Sequence, residues 1–270
     1  MRIDIMTLFP DAINAMMSQS IIGRAQAKGL VTIRTHQIRE YTTNKQMQVD
    51  DYPYGGGRGA VMQADPLYRC WDHICQEVGY RPHTVYLSPC GRVFTQEVAK
   101  ELKAHYDHLI LVCGHYEGVD ERFLEECVDE ELSMGDFVLT GGEIPAMAVA
   151  DCLCRMVPGV LPEESCYTEE SHWNHLLEYP QYSRPEEWHG RKVPAVLLSG
   201  HHGNVSDWRQ KESYKRTMGR RPDLFALFDE GQLTTKHDRK ILAQAKEEFA
   251  AESLSASDAS LDVSDGASQS

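Results

Sequence analysis

The chain has 270 residues and a formal net charge of −14, with 41% hydrophobic and 25% charged residues, the balance of an ordinary globular protein. That length can bury a full core, in one large domain or two smaller ones, and no apolar run reaches the roughly 20 residues of a membrane-spanning helix. The eight cysteines form no C-x-x-C pair and the twelve histidines show no ligand spacing, which points to reduced thiols in a cytosolic protein and away from disulfides or zinc.

Arg2 to Leu8 reads as a first strand. An acid, Asp4, sits inside its apolar run and no small-residue cleavage site follows, so a signal peptide is not indicated. Pro10 to Met17 and Ile21 to Ala27 read as helical turns stopped at Gly29, and Leu30 to Ile38 alternates as a second strand. Residues 40–60 form a long polar loop ending in Tyr54-Gly-Gly-Gly-Arg-Gly59, and Pro66 to Val78 is an amphipathic helix. Three apolar strand-like runs then each end in a polar loop containing glycine. These are Val85-Tyr86 before Leu87-Ser-Pro-Cys-Gly91, Leu109 to Val112 before Cys113-Gly-His-Tyr-Glu-Gly118, and Met134-Gly-Asp-Phe-Val-Leu-Thr before Gly141-Gly142. Helices are predicted near Thr95 to His105, Val119 to Cys127 and Ile144 to Met156. Strands alternating with helices imply an α/β fold with a mostly parallel sheet. Strand-end loops of this kind build a ligand site at the carboxyl edge.

After Val157-Pro-Gly159 the pattern breaks. Residues 161–183 are rich in polar groups and read as a mobile linker. Helical stretches follow at about 206–217, 222–229 and 236–250, so a smaller, mainly helical domain is expected over 184–250. Residues 251–270, mostly Ser, Ala and Asp, read as a disordered tail. The tail carries four acids and no basic residue, whereas 184–221 holds nine Lys/Arg against four acids. That basic segment is a candidate phosphate-contacting surface, or else a solvated helix face with ion pairs.

The cluster Gly55-Gly-Gly-Arg-Gly-Ala60 contains the letters of a dinucleotide fingerprint, but no apolar strand precedes it and Pro66 follows soon. A nucleotide-dependent oxidoreductase is therefore disfavoured, and a loop closing over a ligand fits better. In His115-Tyr-Glu-Gly-Val-Asp-Glu-Arg122, Asp120 and Glu121 suit a first helical turn, while Glu117 precedes the helix at a strand end.

Several long motifs occur in order: Asp50-Asp-Tyr-Pro-Tyr-Gly-Gly-Gly57, Tyr86-Leu-Ser-Pro-Cys-Gly91, Leu111-Val-Cys-Gly-His-Tyr-Glu-Gly118, Gly135-Asp-Phe-Val-Leu-Thr-Gly-Gly142, Arg155-Met-Val-Pro-Gly-Val-Leu161, Tyr182-Ser-Arg-Pro185 and Pro194-Ala-Val-Leu-Leu-Ser-Gly-His-His202. Together they resemble the bacterial tRNA (guanine-N1)-methyltransferases of the SPOUT class, over residue 1 to about 246. The resemblance implies a parallel-sheet domain over 1–160 with a deep trefoil knot, an obligate homodimer, a tRNA anticodon branch as partner and no membrane. It implies methyl transfer from S-adenosylmethionine to N1 of guanosine 37. The cofactor contacts it implies are Leu87, Ser88, Pro89 and Gly91; Gly114, Tyr116 and Glu117; and Met134, Gly135, Asp136, Phe137, Val138, Leu139, Gly141, Gly142 and Pro145. Substrate contacts are implied at Asp50, Arg155, Ser199 and His202.

For the chemistry, the resemblance implies Arg155 beside guanine O6 and a carboxylate base in the linker. The family has Thr-Glu-Asp-Ser there and this chain has Thr168-Glu-Glu-Ser171, so Glu170 takes the place of the Asp, with Glu169 as the fallback. That change leaves a second reading, a catalytically weak protein that binds S-adenosylmethionine and tRNA. His115 also stands where the family usually has Arg, and Arg58 with Ala60-Val61 departs from the usual loop. A magnesium requirement is implied too, with Glu117 near the cofactor, although no cluster in the sequence marks a metal site.

Overall fold

The computed structural model describes residues 1–265. The chain divides into two compact units, Met1–Cys166 and Tyr167–Ser270.

The first unit opens with β1 (Arg2–Thr7), α1 (Pro10–Met17), α2 (Ser20–Ala27) and β2 (Thr32–Gln37). A 3-10 turn at Ile38–Tyr41 leads to β3 (Asp50–Asp51) and β4 (Val61–Met62), which pair antiparallel and bracket the glycine-rich loop. Then come α3 (Ala64–Val78), β5 (His83–Val93), α4 (Gln96–His105), β6 (His108–Cys113), α5 (Glu121–Cys127), β7 (Glu130–Ser133) and α6 (Glu143–Cys154). The sheet order is β2-β1-β6-β5-β7, with every pairing parallel. Strands in such a sheet are covered on both faces and read as continuous apolar runs. All six residues of β6 are buried accordingly. On one face Met6, Ile110 and Val112 pack with Leu67, Cys70 and Ile74 of α3 and with Phe123 and Cys127 of α5. α6 packs against α1, α4, β1 and β6.

The third strand is displaced from its expected place. β7 is Glu130–Ser133, and residues 134–142 are irregular. Phe137 is 57% and Val138 80% exposed, so their apolar character reflects a wall of the cavity described below and not strand pairing.

The acid inside β1 is also accounted for. Asp4 has no exposed side-chain surface and lies 2.6 Å from Arg2, from His36 Nε2 of β2 and from His108 Nε2 of β6. Burial alone would raise its pKa, but hydrogen bonds from His108, His36 and Arg2 outweigh burial and hold it well below the usual carboxylate range. Its folded pKa is thus below the unfolded value. The stabilisation is present above about pH 4 and is lost as pH falls toward the folded pKa. Asp4→Asn should lower the unfolding free energy by about 3 kcal/mol, read as a lower urea midpoint at pH 7. The gap between variant and wild type should narrow below pH 4.

Along the chain, the boundary between the two units falls within α7 (Ser165–Thr168). The second unit continues with a hairpin of β8 (Glu187–Trp188) and β9 (Arg191–Lys192), then α8 (Ala195–Leu198), α9 (His202–Arg220), α10 (Pro222–Leu227) and α11 (Lys236–Asp265). Its core joins Leu176, Tyr214, Ile241, Leu242 and Ala245, with Met218, Phe225, Phe228 and Leu233 against them. Residues 171–178, expected to be mobile, are docked on α9. The Leu177 N–H donates to Thr217 Oγ1 at 2.8 Å, and Ser213 Oγ donates to the Leu177 carbonyl at 2.6 Å. One buried leucine, Leu176, and two hydroxyls one helical turn apart are enough to hold a segment of polar composition. Residues 251–265, expected to be unstructured, continue α11. Once a helix is nucleated, each added residue gains a backbone hydrogen bond, and Ala250, Ala251 and Glu252 favour the conformation. Residues 266–270 of that expected tail lie outside the described residues.

Part of the basic segment takes the ion-pair reading given to it. Lys211 and Lys215 are turned to Glu248 and Glu252 of α11, at 2.6 Å for Lys211–Glu248 and 2.5 Å for Lys215–Glu252. Arg221 pairs with Asp223 at 2.6 Å. All eight cysteines are free, and burial pushes Cys75 and Cys152 to about 11 and Cys127 and Cys154 to about 12. No helix among the described residues is long and apolar enough to cross a membrane.

Candidate active site

A cavity of about 600 Å³ opens at the carboxyl ends of β5, β6 and β7, the edge where parallel sheets place their ligands. Each strand contributes its terminal loop.

In β5 the pairing with β7 breaks after Leu87 and resumes at Arg92, both opposite Leu132. Ser88, Pro89 and Cys90 bulge out between them and wall the cavity, with Ser88 Oγ accepting from the Cys90 N–H at 3.1 Å. Gly91 makes the closure possible. A Cβ there would lie 2.4 Å from the carbonyl carbon of Glu131, closer than any side chain allows. Gly91 is not in the cavity wall.

The loop after β6 supplies Gly114, His115, Tyr116 and Glu117. The Glu117 N–H donates to the Ala60 carbonyl at 2.9 Å, and the Met62 N–H to the Gly118 carbonyl at 2.9 Å. The end of the glycine-rich loop is thereby tied to the cavity rim. Tyr116 has a left-handed backbone, φ 59°, and its hydroxyl accepts from Arg39 at 3.3 Å.

The segment after β7 completes the wall with Met134, Phe137, Val138, Leu139, Gly141, Gly142 and Pro145. Gly135 and Asp136 lie outside it. Gly135 is held by backbone contacts with Ser133 Oγ at 3.2 and 3.1 Å, and Asp136 is exposed. The amino end of α6 comes very close to β6, and the Gly142 N–H donates to the Gly114 carbonyl at 3.0 Å. Glu143 beside it is buried, accepts from Thr7 Oγ1 at 2.6 Å and lies 2.7 Å from His115 Nε2. This contact joins the end of β1, the loop after β6 and the start of α6. Where the family usually has Arg, His115 therefore reaches a carboxylate within its own unit.

The wall also holds residues that the sequence did not assign to the site: Tyr86, Glu121 and Glu131 among them. Burial pushes the Tyr86 hydroxyl up to about 12, helped by Glu131, Cys90 and Glu121, so at neutral pH it stays a hydrogen-bond donor. The helix-dipole reading of Glu121 and the strand position of Glu131 give no sign of the cavity. Glu131 comes to it through the sheet order that sets β7 beside β5, and Glu121 as the first residue of α5, after the loop that leaves β6. Chemically, the cavity offers apolar surface from Leu87, Met134, Val138 and Leu139, backbone polar groups at the glycines, and three carboxylates, Glu117, Glu121 and Glu131. Such a lining suits a ligand with a flat apolar part and a positive charge.

The other predicted residues fall elsewhere. Arg155 caps the carboxyl end of α6 and is half-buried, and Asp50 lies in β3 opposite Met62. In the second unit Glu170 is half-buried, with its carbonyl accepting from the Trp173 N–H at 3.4 Å; Glu169 beside it is exposed. Ser199 Oγ donates to the Val196 carbonyl at 2.7 Å, and His202 is the exposed first residue of α9. Among the described residues no three His, Cys, Asp or Glu side chains are gathered as a metal-binding set.

A family model described as tRNA (Guanine-1)-methyltransferase TrmD matches residues 1–227. Similar proteins carry the name tRNA (guanine-N(1)-)-methyltransferase. That of Ruminiclostridium cellulolyticum is 53% identical over 225 residues, 83% of this chain and 96% of the relative. The Desulforamulus reducens protein is 48% identical over 245 residues, 90% and 94% of the two chains. The Bacillus cereus (strain AH820) protein is 47% identical over 247 residues, 92% and 99%.

Proposed function

The chain belongs to the tRNA (guanine-1)-methyltransferase family, and from that premise we propose how its residues divide the work. The enzyme methylates N1 of guanine in tRNA, at position 37, with S-adenosylmethionine as methyl donor. The observation that carries the assignment is the cavity at the ends of β5, β6 and β7, where the three glycine-containing loops meet.

The residues there fit S-adenosylmethionine. The adenine has apolar surface at Leu87, Val138 and Leu139, and backbone groups of Gly114, Gly141 and Gly142 are available for its polar edge. The carboxylates of Glu117, Glu121 and Glu131 in the same wall would attract the part of the ligand that carries positive charge. S-adenosylmethionine supplies an electrophilic methyl group when bound. A magnesium ion finds no gathered donor set among the described residues.

Neutral guanine N1 carries a proton and is a poor nucleophile. Glu170 takes that proton as the methyl carbon passes from the sulfonium sulfur to N1; the C–S bond breaks, its electron pair stays on sulfur, and the neutral thioether product leaves. The negative charge that develops on O6 is stabilised by Arg155. Asp50, Ser199 and His202 hold the RNA, and residues 184–250 form the tRNA-binding part. A homodimer is supported by the exposed apolar side chains of Phe9, Met16 and Ile144, which a monomer would leave wet. A trefoil knot is supported by the close approach of Gly142 to β6, as a threaded segment requires. A cytoplasmic location follows from the tRNA substrate.

Labelled S-adenosylmethionine with a tRNA transcript bearing G at position 37, beside one bearing A, tests the reading. Transfer to the first alone is expected. Transfer to neither, with cofactor binding intact, would favour the catalytically weak binding protein that the Asp-to-Glu change at position 170 suggests.

A further inference from the structure

The second unit contains a cavity of its own, about 760 Å³, between residues 179–186, α8 and α9. Its character differs from the first. The wall includes Tyr179, Tyr182 and Trp208, two arginines, Arg184 and Arg209, and one acid, Glu186. The Arg209 guanidinium lies over the Tyr179 ring, 4.8 Å from its centroid. The Tyr182 and Trp208 rings are 6.4 Å apart and inclined by 50°, and Tyr182 is half-exposed.

Three aromatic rings and two guanidinium groups around one hollow match a nucleotide in both of its parts. Rings stack on any base through its π face, and arginines meet the phosphates beside it. Charge complementarity favours a polyanion over an apolar peptide. With Lys211 and Lys215 committed to Glu248 and Glu252, Arg184 and Arg209 are the cations of the basic segment that border this hollow. Glu186 offers an acceptor to a base amino group, which guanine, adenine and cytosine carry and uracil lacks.

We propose that this cavity receives one unstacked base of the RNA substrate, stacked against Trp208 and Tyr182 with its phosphates toward Arg184 and Arg209. The proposal rests on the tRNA reading above and adds to it a second base-holding site, apart from the residues assigned to methyl transfer.

The test is direct binding of a fluorescent anticodon stem-loop RNA to the full chain and to Tyr182→Ala and Trp208→Leu, followed by anisotropy. The dissociation constant of S-adenosylmethionine and the melting temperature are measured alongside. RNA binding should weaken at least about five-fold in each variant, with cofactor affinity unchanged. Should Trp208→Leu fail to fold, Tyr182→Ala, whose ring is half-exposed, decides alone. Unchanged RNA affinity in folded variants overturns the proposal. Weaker RNA binding that tracks loss of the dimer in sedimentation assigns the cavity to a second copy of the chain and also overturns it. If the wild-type chain binds no RNA, the tRNA reading fails and the proposal falls with it, a result distinct from a defect confined to the variants.

Discussion

Glu170→Ala is expected to slow single-turnover methyl transfer by roughly 10²- to 10⁴-fold, the usual contribution of a positioned base. Affinities for S-adenosylmethionine and tRNA should hold, because the side chain acts on a proton and not on binding. Glu170→Asp tests placement. It shortens the side chain by one methylene, and such a shift can change the rate considerably in either direction. A faster Asp variant would mean that the longer side chain is a handicap in this protein. Glu169→Ala is the control and should stay near the wild-type rate. The backbone at this point is held, with Trp173 bonded to the Glu170 carbonyl at 3.4 Å and the Glu178 N–H donating to Ser171 Oγ at 3.0 Å. The Ala variant should therefore fold normally. Full single-turnover rate in Glu170→Ala would end the base assignment.

Gly142→Ala should cost the protein its cofactor site. The backbone of Gly142 has φ −81°, which alanine adopts freely, so the effect is one of space alone. An added Cβ would sit 2.7 Å from Cys113 Cα and 3.1 Å from Cys113 Cβ and the Gly114 nitrogen. Cys113 is fully buried in β6 and cannot yield. α6 must move away, which strains the bond from the Gly142 N–H to the Gly114 carbonyl and the Glu143 contacts with Thr7 and His115. Overpacking of this kind destabilises by about 1–3 kcal/mol. Gly114, Gly141 and Gly142 all wall the cavity, so S-adenosylmethionine affinity should fall by about ten-fold or more, the equivalent of ~1.4 kcal/mol. Calorimetric titration and thermal melting read the two effects. Gly203→Ala is the control. It lies in the first turn of α9 with nothing within 4 Å of the added carbon, and should leave both measurements unchanged. Wild-type cofactor affinity in Gly142→Ala would show that the approach of α6 to β6 does not shape the site.

What could be read from the sequence was whatever is carried by neighbours along the chain. Alternating strands and helices indicated a parallel α/β sheet, because the period of apolar residues follows backbone geometry. The glycines at 91, 114, 141 and 142 marked the polar loops at the strand ends. The ordered motifs identified the family, and through it the reaction. The remainder depended on contacts between distant residues. Leu176 and Leu177 lie in a stretch of polar composition, yet they dock because Ser213 and Thr217 are spaced one turn apart on a helix more than thirty residues later. Met134 to Leu139 look like a strand, but strand pairing is made by Glu130–Ser133, and the apolar residues after it face a cavity. Asp4 could be seen as an acid in an apolar run, but its two histidine partners come from β2 and β6, which only sheet pairing brings beside it. Glu131 joins Glu117 and Glu121 in one cavity for the same reason. The sequence alone determined the alternation of strands and helices and the family its motifs carry. Which side chains share a wall, which lysines are spent on ion pairs and which loops are held was decided by tertiary structure, since register and packing act between residues the local pattern never relates.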